Sequence, residues 1–384
     1  MARRKEHHEV QLAGTLKPRN LLVFMDGTWN DENGRSNDGA VTNIYKLFSS
    51  LSGSHEHEQI PHVKSTAKHL GLYFRGIGND EANVQAIGFY QAAFGAGEKS
   101  IRDHAYASIC KHYRPGDRIS IFGFSRGAAS ARMLATKLHK YGLPAEITLH
   151  YRSMTNQSSG EKEWQFSHYD TKDEGSGKVD VAFMGLLDTV GAFGIPINIG
   201  PLNFQKVNLF HDLTLSPNVK RAVHLVGIDE SREPFIPTLT NISDRIDEVW
   251  LPGVHSDIGG GFHDGMLGNV AMDYLVGKFQ QEMHDMPVTF TRNLEKWTQY
   301  DLDSDKFVMH YHGDGFKKTA RKMEVLKKQK STTEPVKVHH SVFKLREQDN
   351  FFYSERYNSF ATRVPIKYDP INLKDLGSNI IHMP

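Results

Sequence analysis

The chain has 384 residues, 24% of them charged and 10% aromatic, and its 46 Lys and Arg stand against 45 Asp and Glu for a net charge of +1. Those proportions suit an ordered protein with a large core and exclude the strong basic excess of a nucleic-acid binder. A single cysteine, Cys110, excludes an intramolecular disulfide and a cysteine-only zinc site.

In chain order, residues 1–18 read as a polar, mobile tail, and the charged start from Met1 to His8 has no apolar stretch behind it, so it is not a signal peptide. Leu21–Met25 is a short apolar run closed by Asp26-Gly27, the pattern of a buried parallel strand. A helical pattern runs from Thr42 to Leu51, with Thr42 or Asn43 able to cap it. Leu72–Phe74 is the next strand, ahead of a turn at Arg75–Asn79. Ala82–Tyr113 is largely helical, with a break near Gly95-Ala-Gly97, and Cys110 sits in it as a buried thiol. The strand Arg118–Phe122 feeds Gly123–Gly127, and a helix follows from Ala128 to Tyr141. Further apolar runs lie at Val181–Leu187, Ala222–Ile228 and Val249–Leu251. Strands separated by helix-length segments predict a mainly parallel α/β sheet with helices on both faces. Two long connections, 144–178 and 191–220, interrupt the rhythm as loop insertions of the kind that carry function. After Tyr300 the alternation weakens. Lys317–Lys330 is strongly basic, and His339-His340 reads as exposed. No apolar run approaches the ~18 residues needed to span a bilayer. The expectation is a soluble protein made in the cytoplasm, with export open only to a machine that needs no such signal.

Gly123-Phe-Ser-Arg-Gly127 fits G-x-S-x-G, a short pattern whose weight comes from its setting between a β-branched strand and a helix of small residues. A serine at so sharp a turn is crowded, and glycines two before and two after it remove the collision. The helix start then aims its N–H groups at a developing oxyanion. Such a serine needs a base, and the base needs a carboxylate. His255 follows the Val249–Leu251 strand and precedes Gly259-Gly-Gly261, which marks it out among 21 histidines. The acid is either Asp188 or Asp229, each at the end of an apolar run, and the residues themselves leave that choice open. Asp257 is expected to hold the histidine loop. The oxyanion donors are expected at Arg126 and at Gly27 or Thr28, with Asp26 as an anchor of that loop or a site residue. Phe24 stands where an aspartate-nucleophile phosphohydrolase would carry its nucleophile, which excludes that chemistry. No metal site and no cofactor are expected.

Asn20–Asn30, Gly123–Ala129, Gly185–Gly191 and Leu251–Gly261, in this order, resemble the α/β-hydrolase family typified by phospholipase effectors of the bacterial type VI secretion system. The resemblance spans roughly residues 19–285. It implies an α/β-hydrolase fold and a triad on Ser125, Asp188 and His255, and so turns the choice of acid to Asp188. It also implies a membrane phospholipid ester as substrate and a secretion-system or immunity protein as partner; the chain departs from the family in lacking an obvious membrane-insertion module, so at most peripheral membrane contact is expected. The division expected is a tail over 1–18, a catalytic domain over 19–300 and a C-terminal extension over 301–384 packed on or flanking it. The Ala192–Gly200 segment either lines an acyl site or forms a lid, or packs against the core. The competing readings are an esterase of small or non-lipid substrates and a catalytically silent interaction protein on the same fold.

Overall fold

The computed structural model of the chain describes every residue except Met1, 35–38, 57–60, 77–88, 156–161, 174, 176–177, 192–213, 311–316 and 355–362. For residues 89–98 and 163 it describes the backbone alone.

The first half of the chain runs β1 (Arg3–Glu9), β2 (Asn20–Met25), α1 (Asn43–Ser49), β3 (Ser54–Glu56), β4 (His62–Ser65), β5 (His69–Phe74), α2 (Phe89–His112), β6 (Arg118–Phe124) and α3 (Arg126–Tyr141). Then come β7 (Glu146–Thr155), β8 (Lys162–Thr171), β9 (Val181–Leu187), β10 (Val219–Gly227), β11 (Ile246–Leu251), α4 (His255–Gly259) and α5 (Met266–Glu282). The C-terminal part adds α6 (Glu295–Thr298), β12 (Phe307–His310), β13 (Leu326–Lys327), β14 (Lys330–Ser331), β15 (Val336–His339), α7 (His340–Arg346), β16 (Phe351–Ser354), β17 (Arg363–Pro365), α8 (Ile371–Lys374) and β18 (Ile380–Met383).

Ten strands form the central sheet in the order β18-β15-β11-β10-β9-β6-β2-β5-β4-β3. Every pairing from β18 to β5 is parallel, and only the β5-β4-β3 edge is antiparallel. The α/β-hydrolase expectation is met. β2, β5 and β6 are buried almost throughout because both faces are covered. Successive side chains point to opposite faces, so Leu22 and Phe24 join one core with α1 and α5, while Leu21, Val23 and Met25 join the other with α2 and α3. Thr42 caps α1 by accepting the Tyr45 N–H. Cys110 is buried in α2, and burial pushes its thiol up to about 12.

Four expectations need correction. The N-terminal tail is not free: Arg3–Glu9 forms β1, paired antiparallel with β7 from Arg3↔Arg152 to Glu9↔Glu146. The connection over 144–178 is not a loop but the antiparallel hairpin β7–β8. Ile147, Leu149 and Tyr151 alternate into the second core, so burial of one face holds the hairpin and lends β1 an edge to pair with. His339 is buried rather than exposed, accepting the Ser341 N–H at the start of α7. The C-terminal extension is part of the main sheet, adding β15 beside β11 and β18 beside β15. The Ala192–Gly200 segment lies outside the described residues, as do Ile77–Asn79 of the turn after β5.

Candidate active site

Ser125 sits between the last residue of β6 and the first of α3 with φ 57° and ψ −122°, a conformation that costs a non-glycine residue free energy. Its N–H donates to Leu187 O at 3.0 Å, and its carbonyl accepts from Val190 and Ala129, each at 3.3 Å. The crowding foreseen at this turn is real. A Cβ on Gly123 would lie 2.6 Å from Gly127 O, and one on Gly127 would lie 2.2 Å from Met25 O. The backbone after β2 is therefore pressed against the serine turn, and only glycine admits it.

Asp188 and His255 meet. Asp188 follows β9 with φ 42°, and His255 opens α4 just after β11. His255 Nδ1 lies 2.5 Å from Asp188 Oδ2, with both side chains buried. Phe124 and Phe235 pack against the imidazole with ring centroids at 4.6 and 4.9 Å. Those rings and the acid fix the imidazole plane, which leaves Nε2 as the nitrogen able to handle a substrate proton. Gly259 is required here as well, since a Cβ would lie 2.0 Å from the Phe124 ring.

Burial lowers the proton affinity of His255, and the hydrogen bond and charge of Asp188 offset that only in part, so the ring lies below its ordinary value. Burial alone would raise Asp188. The charge of Arg321, the hydrogen bond from His255 and the hydrogen bonds from Arg321 outweigh it and hold the acid well below the usual carboxylate range.

Arg321 was not anticipated from the sequence. Nη1 donates to Asp188 Oδ1 at 2.6 Å and Nη2 to Oδ2 at 2.7 Å, a two-point grip on the acid. Its only trace in the sequence is that it is the one arginine among the lysines of Lys317–Lys330.

The other carboxylates hold loops. Asp229 accepts the Gly253 N–H at 2.7 Å and the Tyr368 hydroxyl at 2.9 Å, so it fixes the turn before His255 and has no bond to the ring. Asp257 accepts the backbone N–H groups of Val254 and His310 and pairs with His310 Nδ1 at 2.7 Å. Asp26 accepts from the Thr42 and Tyr73 hydroxyls at 2.8 and 2.7 Å, which makes it an anchor tying the loop after β2 to α1 and β5. The Gly27 N–H, expected as an oxyanion donor, donates to Asp26 Oδ1 at 2.8 Å, so it is already committed. The Thr28 hydroxyl is buried with no hydrogen-bond partner among the described residues. Arg126 is the first residue of α3, directly after Ser125.

Among the described residues, one group has metal-ligand character: His150, His168 and Asp170, with ligand atoms within 4.8 Å of one another. It lies on the β7–β8 hairpin rather than on the sheet that carries the acid and the base. No helix of the described residues is long and apolar enough to cross a membrane.

The family model described as T6SS, phospholipase effector Tle1-like, catalytic domain, matches residues 19–278. An uncharacterized protein of Saccharomyces cerevisiae is 28% identical over 234 residues, which make up 56% of this chain and 32% of that protein. The chain thus spans about a third of that relative's length. Among solved structures, an uncharacterized protein from Pseudomonas aeruginosa is 19% identical with a TM-score of 0.42, over 74% of this chain and 48% of that one. The Tle1 effector, solved bound to the VgrG spike of the type 6 secretion system, is 20% identical with a TM-score of 0.35, over 64% of this chain and 51% of that one. Esterase 2 of Thermogutta terrifontis is 12% identical with a TM-score of 0.34, over 74% of this chain and 90% of that one.

Proposed function

Since the chain belongs to the Tle1-like phospholipase effector catalytic-domain family of the type VI secretion system, we propose that it is a serine hydrolase that cleaves carboxylic esters of lipids through an acyl-enzyme. One observation carries the reading: a buried Asp188–His255 pair at 2.5 Å, on the strand ends β9 and β11 of the sheet whose β6 presents the strained Ser125.

In this mechanism His255 Nε2 takes the Ser125 hydroxyl proton as Oγ attacks the ester carbonyl. Asp188 holds Nδ1–H and stabilises the imidazolium that forms. The N–H of Arg126, with Thr28 across the turn, faces the oxyanion. The imidazolium then protonates the leaving alkoxide, and a water activated by the same base releases the acid. The depressed proton affinity of His255 keeps it neutral, hence competent as a base, below the usual histidine range.

The lipid part of the reading follows the family, and a phospholipid acyl ester is the substrate proposed. Export by a type VI system, through a spike protein such as the one the Tle1 effector was solved with, goes with it. Ser125→Ala is expected to abolish ester hydrolysis and labelling by a fluorophosphonate while leaving the melting temperature nearly unchanged. Wild-type activity on short-chain esters but none on phospholipid vesicles would move the substrate to small acyl esters. No labelling of the wild type would reduce the chain to a binding protein.

A further inference from the structure

We infer that Arg321, from a segment beyond the family's matched region, is a positioning residue of this site: it holds Asp188 ionised and oriented, and through it sets the pH range over which His255 works as a base. The inference rests on the hydrolase reading above.

The family match ends at residue 278, whereas Arg321 lies in the chain between β12 and β13. The backbone delivers it deliberately. Lys317 O accepts the Glu233 N–H at 2.9 Å, and the Thr319 N–H donates to Ser231 O at 2.6 Å, so this stretch is stitched to the loop after β10. The guanidinium then enters the core, where its side chain is 1% exposed. Besides its two bonds to Asp188, Nη1 donates to Gly227 O and Nη2 to Phe235 O, each at 2.6 Å. Gly227 also donates its N–H to Asp188 Oδ1 at 2.9 Å. The acid thus receives donors on both oxygens and has one direction left, toward His255.

Three aspartates supply an internal comparison. Asp26, Asp188 and Asp229 each follow a central strand; Asp26 and Asp188 are buried and Asp229 is half-buried. Asp26 and Asp229 accept only neutral donors, and burial pushes both up to about 7. Asp188 has Arg321 and goes the other way. A neutral Asp188 could not stabilise an imidazolium, so the cation is what keeps the acid usable in a dry site. The same charge disfavours a proton on His255.

The groups around the base are few. Glu230 accepts the His255 N–H at 3.3 Å and is paired with Arg232, so that local charge is balanced. Asp229 with Tyr368, and Asp257 with His310, lie behind the turn that carries the ring. Arg321 is therefore the cation that bears directly on the Asp188–His255 pair, and its loss lets the pair take up its proton at higher pH.

The test measures kcat/KM for a soluble ester against pH in the wild type, Arg321→Met and Arg321→Lys, with Lys322→Met as an exposed neighbour. Arg321→Met is expected to raise the midpoint of the acidic limb by about one pH unit and to lower kcat at least tenfold, while Lys322→Met matches the wild type. A coincident limb in Arg321→Met overturns the inference. Where Arg321→Met does not fold, Arg321→Lys decides. Its ammonium keeps the charge but cannot fork across both oxygens, so kcat falls about tenfold or more at unchanged KM, and an undiminished kcat overturns the inference. Failure of the hydrolase reading looks different: the wild type itself is then neither active nor labelled at Ser125.

Discussion

Asp188 and Asp229 pose one problem twice over: each follows a strand of the central sheet, Asp188 buried and Asp229 half-buried, and either strand end is a place where a hydrolase can carry its acid. The hydrogen bonds divide them. Asp188 takes His255 Nδ1, whereas Asp229 takes the Gly253 N–H and the Tyr368 hydroxyl. Asp188→Asn should therefore lower kcat by about 10⁴-fold, because an amide favours the wrong imidazole tautomer. Asp229→Asn keeps the acceptor for Gly253 and should leave kcat within about tenfold. A steady-state assay of both variants checks this, and the reverse order would give the acid's role to Asp229. Apolar runs locate strand ends, which is why both candidates were readable in the sequence. What separates them is a contact across 67 residues and a guanidinium 133 residues away, and periodicity carries no information on either. The Gly27 donor failed for a local reason, since a carboxylate one residue earlier can take its N–H.

At the scale of elements, the strand–turn–helix unit around Ser125 was readable because sterics alone dictate it. Gly127 marks the closest approach, with Met25 O and Asp26 O standing 2.2 and 2.5 Å from where a Cβ would go. Those are backbone atoms of β2 and its end, and no rotamer change relieves the overlap. Gly127→Ala should destabilise the fold by about 3 kcal/mol, at the upper end for overpacking. Gly277, within α5, has nothing within 4 Å of the same position, so Gly277→Ala should gain about 0.5–1 kcal/mol. Urea unfolding of the two variants measures both. Equal and small effects would mean that the turn is looser than these distances say. The β7–β8 hairpin was missed although its signal was present. Ile147, Leu149 and Tyr151 alternate with Thr148, His150 and Arg152, a period of two that the polar average of the segment concealed. The strand character of Arg3–Glu9 was not readable at all, because every residue of it is polar and its pairing depends on a distant edge, Glu146–Arg152.

On the scale of the whole molecule, the question is whether the catalytic unit closes where the family match does. The sequence loses its strand–helix rhythm after Tyr300, and this suggested an appended extension. The sheet does not end there. β15 pairs with β11 and β18 with β15, so the chain after Tyr300 covers one edge of the parallel sheet. The same part supplies Arg321 to Asp188 and Tyr368 to Asp229, and Val336, Val338, Val342 and Phe351 to the first core. A chain cut after Tyr300 would leave β11 as an open edge, strip apolar cover from α5, and take Arg321 from the buried Asp188 and the Tyr368 hydroxyl from Asp229. Unpaired buried charge and an exposed flat strand both drive association. Residues 1–300 are therefore expected to elute as aggregate in size exclusion, to melt without a cooperative transition and to show no ester hydrolysis, while the full chain does the opposite. Supplying residues 301–384 separately should not restore activity, because β15 and β18 form only with the rest of the sheet in place. A monomeric, cooperatively folding and active fragment would make the extension an appendage after all, and would place the acid's support within the first 300 residues.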